Sequence, residues 1–203
     1  MRLFDGGKAP NPRRVRIFLA EKGVEVPLEP VDMGALGHRS KQITDRNPLQ
    51  RLPVLELDDG TIVSESVAIC RYFEAIHPDP PLMGVDAVDS AIVEMWQRRM
   101  EMHLLLLVAN VFRHAHPAMA EWEKPQIAEF SEANRPKVMA TLRWLNDELA
   151  KQEFIAGDRY TIADITAMVA VDFMKPARLS VPDDHEHVLR WYRGVKSRPS
   201  ADA

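Results

Sequence analysis

Residues 77–86 read HPDPPLMGVD, and the hydrophobic pattern differs in kind on the two sides of this stretch. Pro78, Pro80 and Pro81 stop any helix that reaches them, because proline lacks an N–H and its ring clashes with the preceding turn. They also stiffen the stretch as a link. Before it, strand-like and helix-like runs are mixed. Arg2 to Asp5 fits a strand. Asn11-Pro12 fits a helix start, with Asn as N-cap and Pro at the first helical position. Val15, Phe18, Leu19 and Lys22 follow at helical spacing, and Gly23 stands where a C-terminal glycine is expected. Val24, Val26 and Leu28 alternate as a second strand does. Residues 35–46 are polar and irregular. Val54 to Leu57 and Thr61 to Val63 flank Asp58-Asp59-Gly60, a hairpin turn signal. Ile69, Phe73 and Ile76 mark a further helix.

After the prolines the pattern is helical throughout. Ile92, Trp96, Met100, Leu104, Leu107 and Val111 make one long stripe. Val138, Leu142, Leu145 and Leu149 make a second, and Ile162, Ile165, Val169 and Phe173 a third. Thr161 and Asp164 form a capping box ahead of the third. His187 to Lys196 reads as a last helix ending near Pro199. The spacing therefore predicts a mixed α/β domain over 1–77, a linker over 78–86 and an all-helical domain over 87–203. A chain of 203 residues, 46% of them hydrophobic, is long enough to bury a sizeable core in such an arrangement.

Charge and cysteine narrow the function. The net charge of -4 includes no long run of one sign, so neither nucleic acid nor an anionic membrane surface is expected as a partner. The longest apolar run, Leu104 to Ala109, is far short of the ~18 residues of a membrane span. The single cysteine, Cys70, excludes an intrachain disulfide framework and fits a reducing compartment. It reads as a packing residue. MRLFDGGKAP lacks the apolar core of a signal peptide, and the expectation is a cytoplasmic protein. His114 and His116, two apart on a helix, point to opposite sides, and no metal site is expected. Trp96 and Trp144 read as core.

Two features of RLPVLELDDGTIVSESVAI, Arg51 to Ile69, carry chemistry. Pro53 heads a strand, where its missing N–H is tolerated only at a start, an edge or a bulge. Glu65-Ser66 opens a helix, where free N–H groups and the dipole favour an anion. Ser64 or Ser66 would also serve as a plain N-cap.

The order of elements resembles the cytosolic glutathione transferases: a thioredoxin-like α/β domain, a proline-rich link and an all-α helical bundle. NPLQRLPVLELDDGTIVSESVAICRYFE, Asn47 to Glu74, is similar to the family's NPxGxVPxLxxDDGxxxxESxAIxxYL pattern. RRVRIFLAEKG, Arg13 to Gly23, resembles its first helix, and FIAGDRYTIADI the capping-box element that opens its core helix. The resemblance implies that Pro53 is cis and turns the backbone of Leu52 toward the cysteinyl part of glutathione. It implies that Ser66 holds the γ-glutamyl carboxylate and that Glu65 faces the ammonium. His38, Arg39, Gln50 and Arg51 are the candidates for the glycine carboxylate. Arg99, Met100 and His103, on the long helix, are expected to line the pocket of the second substrate. Glutathione is then a co-substrate, no metal is implied, and the protein is a homodimer. Its interface is expected on the helix after Glu65 and the long helix from Asp86.

The thiol-activating residue departs from the family pattern. Ala9 stands where serine-type members carry a hydroxyl. The first strand has Phe4 and no tyrosine, and Cys70 is far from the place of a catalytic cysteine. Ala9-Pro10-Asn11 resembles the Thr-Pro-Asn of the bacterial nu class, whose members reduce disulfides with glutathione, so the Asn11 amide is a candidate donor to sulfur. The N-terminus of the first helix is another, and Asn11 acting only as a cap is the alternative to both. The expected function is conjugation of glutathione to a small electrophile, as in detoxification. A glutathione-dependent disulfide reductase and a non-catalytic binder of the same fold are the alternatives.

Overall fold

Gly23, at φ 63, ends the first helix, and the chain turns back to build a parallel strand beside the first. The structure is a computed structural model that describes residues 1–203. It falls into two compact units, Met1–Leu82 with Pro199–Ala203, and Met83–Arg198.

The first unit runs β1 (Arg2–Asp5), α1 (Pro10–Glu21), β2 (Leu28–Pro30), a short 3-10 turn (Gly37–Arg39), α2 (Lys41–Thr44), β3 (Val54–Glu56), β4 (Ile62–Ser64) and α3 (Ser66–Ile76). The four-stranded sheet has the order β2-β1-β3-β4. β1 and β2 are parallel, with Leu3 beside Leu28, which requires the crossover that α1 supplies. β1–β3 and β3–β4 are antiparallel, with Val54 beside both Phe4 and Ser64. α1 and α3 pack together, and Val15, Phe18, Ile69, Cys70 and Phe73 are buried. Phe4, Ile43, Leu52 and Val54 form a further buried cluster.

Two local expectations need correction. The second strand starts at Leu28, not at Val24. Leaving the helix uses the first residues after Gly23, since the Val24 N–H still donates to Leu19. Asn11 is not the N-cap of α1: the cap is Ala9, with Pro10 already helical. Pro-Asn-Pro offers two prolines suited to a first turn, and the chain uses the earlier one.

A buried cation fastens the proline-rich stretch. Lys22, whose side chain is wholly buried, lies 2.7 Å from a Glu74 oxygen. It donates to the carbonyls of His77 and Pro80, each at 2.8 Å. Glu74 also accepts the Leu82 N–H at 3.0 Å. The segment Pro199–Ala203, expected with the helical part, instead groups with the first unit. Ala201 is fully buried and its carbonyl accepts from Arg13 at 2.8 Å. Ser200 donates to Glu21.

The second unit holds α4 (Ala87–Met100), a π-helical turn (Glu101–Leu105), α5 (Leu106–Ala115), α6 (Ala128–Leu149), α7 (Ile162–Met174) and α8 (Glu186–Lys196). Asp86 caps α4 by accepting the Asp89 N–H at 2.9 Å. α7 is buried at every position from Ile162 to Val171. Its capping box is formed: Thr161 accepts from Ala163, and Asp164 accepts the Thr161 N–H at 2.9 Å. Asp164 also accepts from the Ile155 N–H at 2.9 Å and the Trp191 indole at 2.8 Å. The long stripe is one column only in part. From the π turn onward the buried positions are Leu104, Leu105, Val108 and Val111, not Leu107, because a π turn inserts a residue into the helical period. No helix is long and apolar enough to cross a membrane.

Candidate functional site

Ser66 is the first residue of α3, and the cap before it is Glu65 at φ 70 with no side-chain cap bond. Neither Ser64 nor Ser66 therefore caps this helix. The first-turn N–H groups stay open to an external acceptor, at the positive end of the helix. Ser66 is 5% exposed and Arg14 fully buried, and the Arg14 guanidinium donates to Ser66 Oγ at 3.0 Å. Because that oxygen accepts from Arg14, its own proton is free to point outward. A cation thus sits behind a hydroxyl at a helix start, an arrangement suited to a carboxylate. Glu65 is exposed. Its positive φ costs a non-glycine residue on the order of 1–3 kcal/mol, a strain found most often at functional sites.

A second set of groups lies on the loop that enters β3. The Leu52–Pro53 bond is cis. Pairing of β3 begins at Val54, so the backbone of Leu52 stands outside the ladder while its side chain is buried. Buried Asn47 shapes this loop. Its amide donates to the Arg51 carbonyl at 2.9 Å, its side-chain oxygen accepts the Leu49 N–H at 3.1 Å, and its carbonyl accepts the Gln50 N–H at 2.9 Å. Gln50 takes the left-handed conformation at φ 56.

His38, Arg39 and Arg51 share one neighbourhood. The His38 imidazole is held below its ordinary pKa, first by burial and then by the Arg39 and Arg51 guanidiniums. His38 is 1% exposed, and both its burial and its two basic neighbours favour the neutral ring. The two arginines are exposed and carry the positive charge.

The β1–α1 loop is fixed from inside. Asp5 accepts the Gly7 N–H at 2.9 Å and is paired with Arg16, which also donates to the Gly7 carbonyl at 3.0 Å. Gly6 passes so close to the β3 loop that an added Cβ would meet Leu52 Cδ1 at 3.3 Å. At the start of α1 few donors remain. Pro10 and Pro12 have no N–H, and the Arg13 N–H is taken by the Ala9 carbonyl at 3.2 Å. The helix start therefore offers the main-chain N–H of Asn11, beside its exposed side-chain amide. Cys70 is fully buried and burial pushes its thiol up to about 12, which leaves it un-ionised and unreactive.

On α4, Met100 is 0% exposed, so it offers no lining surface; that expectation is corrected. Arg99 lies over the Trp96 ring at 4.8 Å and the Trp144 ring at 5.8 Å, and the two rings stack at 5.3 Å. His103 is exposed, and its carbonyl, in the π turn, accepts the Thr141 hydroxyl at 2.8 Å. No group of three or more His, Cys, Asp or Glu side chains is arranged to hold a metal ion.

Sequence reasoning missed Arg14 and Asn47. Arg14 lies four residues before Phe18, on the buried side of α1. That spacing is a usable signal, although arginine is rarely buried. Asn47, ahead of Pro48, carried the signature of a turn residue.

Comparison with known proteins bears on both units. The family model of the glutathione S-transferase N-terminal domain matches residues 9–76, and that of the C-terminal domain matches residues 95–199. Glutathione S-transferase 2 of Saccharomyces cerevisiae is 32% identical over 203 residues, 98% of this chain and 87% of that protein. The crystal structure of a glutathione S-transferase domain-containing protein from Marinobacter aquaeolei VT8 superposes with a TM-score of 0.95. It is 37% identical and covers 99% of this chain and 100% of its own. Elongation factor 1-gamma 2 of Oryza sativa is 26% identical over 98% of this chain but only 46% of its own length.

Proposed function

Since the chain belongs to the cytosolic glutathione S-transferase superfamily, we propose that it binds glutathione in its first unit and transfers the thiolate to a small electrophile. The observation that carries this reading is Ser66 at the open start of α3, with buried Arg14 behind it. In this reading the γ-glutamyl carboxylate meets the Ser66 hydroxyl and N–H, and Glu65 faces the ammonium. The Leu52 backbone, outside the ladder at the cis bond, pairs with the cysteinyl amide. Arg39, Gln50 and Arg51 hold the glycine carboxylate, with neutral His38 as a further N–H donor. The sulfur falls to Asn11. Arg99 and His103 face the second substrate. Orientation and thiolate stabilisation carry the catalysis, and the reducing cytoplasm suits a single buried cysteine.

Calorimetric titration with glutathione tests the site. Removing Ser66 deletes a bond to a charged group worth ~1.5–3 kcal/mol, so Ser66→Ala weakens binding by roughly ten- to a hundredfold. Equal affinity in parent and variant removes the assignment. A second reading, a glutathione-binding protein without transferase activity, is favoured by the elongation factor 1-gamma relatives and by Ala9, which the family resemblance aligns with the hydroxyl of serine-type members. An assay with an aromatic halide, and with a small disulfide for the reductase alternative, separates these readings.

A further inference from the structure

Arg98 and Arg99 are neighbours with different fates. Arg98 is paired with Glu101 at 2.7 Å. Arg99 has no carboxylate of the chain beside it. It is half-buried, and its guanidinium lies over the stacked Trp96 and Trp144 rings. A guanidinium on an aromatic platform is held by its flat face. Its N–H groups lie in its own plane, so stacking fixes the cation and leaves that edge free for a planar oxyanion. One helical turn further, on the same side of the helix, stands exposed His103, with two ring nitrogens available. The π turn that carries His103 is tied to α6 by the Thr141 hydroxyl, three residues before Trp144. Both groups therefore rest on the same pair of helices.

We infer that Arg99 makes the second ligand of this protein an anion: an aromatic or apolar molecule bearing a carboxylate, its charge on the edge of the guanidinium that the Trp96 and Trp144 rings hold from behind. This rests on the reading above that α4 faces the second substrate, and it adds the chemical class. A bidentate bond to a fixed guanidinium distinguishes a carboxylate from its amide, which has the same shape and no charge.

The test is calorimetric titration of the whole protein, without glutathione, using 1-naphthoate and 1-naphthamide. The acid is expected to bind one per chain and at least tenfold more tightly than the amide. Arg99→Met keeps an apolar stem on the indoles and brings the two within twofold of each other, while Arg99→Lys keeps an intermediate preference. Equal affinity for acid and amide in the parent overturns the inference, as does absence of saturable binding. So does a preference for the acid that survives in Arg99→Met. Unchanged circular dichroism and melting temperature show that the variants fold. Glutathione affinity is expected to be the same in Arg99→Met and parent. A loss there places the arginine in the glutathione site and also overturns the inference. Failure of the Ser66→Ala experiment leaves the naphthoate result standing, so the two readings fail separately.

Discussion

In the proposed reading Asn11 carries the thiol chemistry, and its surroundings make it easy to probe. It caps nothing, is exposed and lies in the first turn of α1, so Asn11→Ala is expected to change stability by less than about 0.5 kcal/mol. A free thiol ionises near 8.5, and a donor bond to the charged sulfur worth ~1.5–3 kcal/mol lowers that by about one to two units. Asn11→Ala should return the bound thiol most of the way while sparing affinity at saturating glutathione. A pH titration of thiolate absorbance in the ultraviolet, on the saturated complex, reads this directly. A variant as ionised as the parent assigns the role to the main-chain N–H of the same residue, the donor that the two flanking prolines leave at this helix start. At this scale the sequence was most legible where the backbone itself is unusual. The family resemblance implied the cis bond at Pro53 that the structure has, and the Glu65-Ser66 pair marked the helix start, which no side chain caps. Arg14 was hidden because a buried charge breaks the rule by which buried positions are recognised. Met100 was misjudged because burial is set by neighbours distant in the sequence.

At the scale of elements, the capping box of α7 shows how far a local motif can be pressed. Thr161 and Asp164 were readable from spacing alone. What spacing does not contain is that Ile155 and Trp191 also converge on the Asp164 carboxylate. Burial outweighs those donors and raises Asp164 from 3.8 to about 6. An acid raised on folding contributes stability that is full below its unfolded value near 4 and is lost as pH climbs through 6. The gap corresponds to ~3 kcal/mol. Urea unfolding at pH 4, 5, 6 and 7 is expected to show the parent losing stability relative to Asp164→Asn as pH rises. A constant difference across that range would mean that Asp164 does not change its protonation on folding. The late start of β2 and the π turn after Met100 were less legible. Alternation in Val24 to Leu28 is the same whether or not the residues pair with β1. One inserted residue hardly disturbs an apolar stripe, because the next position is also a leucine.

At the scale of the whole molecule, the division into an α/β part and a helical part followed from the change of periodicity at the prolines. The sequence also points beyond one chain. Ile76 at the end of α3 is 46% exposed, and Val85 and Val88 around the start of α4 are 63% and 71% exposed. Apolar side chains left this open on the two helices expected to meet a second copy suit an isologous contact. Sedimentation at micromolar concentration is expected to give a species of twice 23.1 kDa, and Val88→Glu to shift it toward the single chain. A parent that sediments as one chain throughout refutes the pairing.

The bond between Arg13 and the Ala201 carbonyl joins residues 188 apart, and this separation orders the events of biosynthesis. Translation delivers β1 to α3 first, then the whole helical unit, and only afterwards the segment that covers α1. The first unit consequently waits, short of Ala201 and of the Ser200–Glu21 contact, while more than half of the chain is still being made. Contacts of such long range form late and slow the closing of a fold. A nascent chain halted at the proline-rich stretch would hold the sheet and α1, α2 and α3, with α1 still lacking its contacts to the Pro199–Asp202 turn, and transiently exposed surface of this kind invites misassembly.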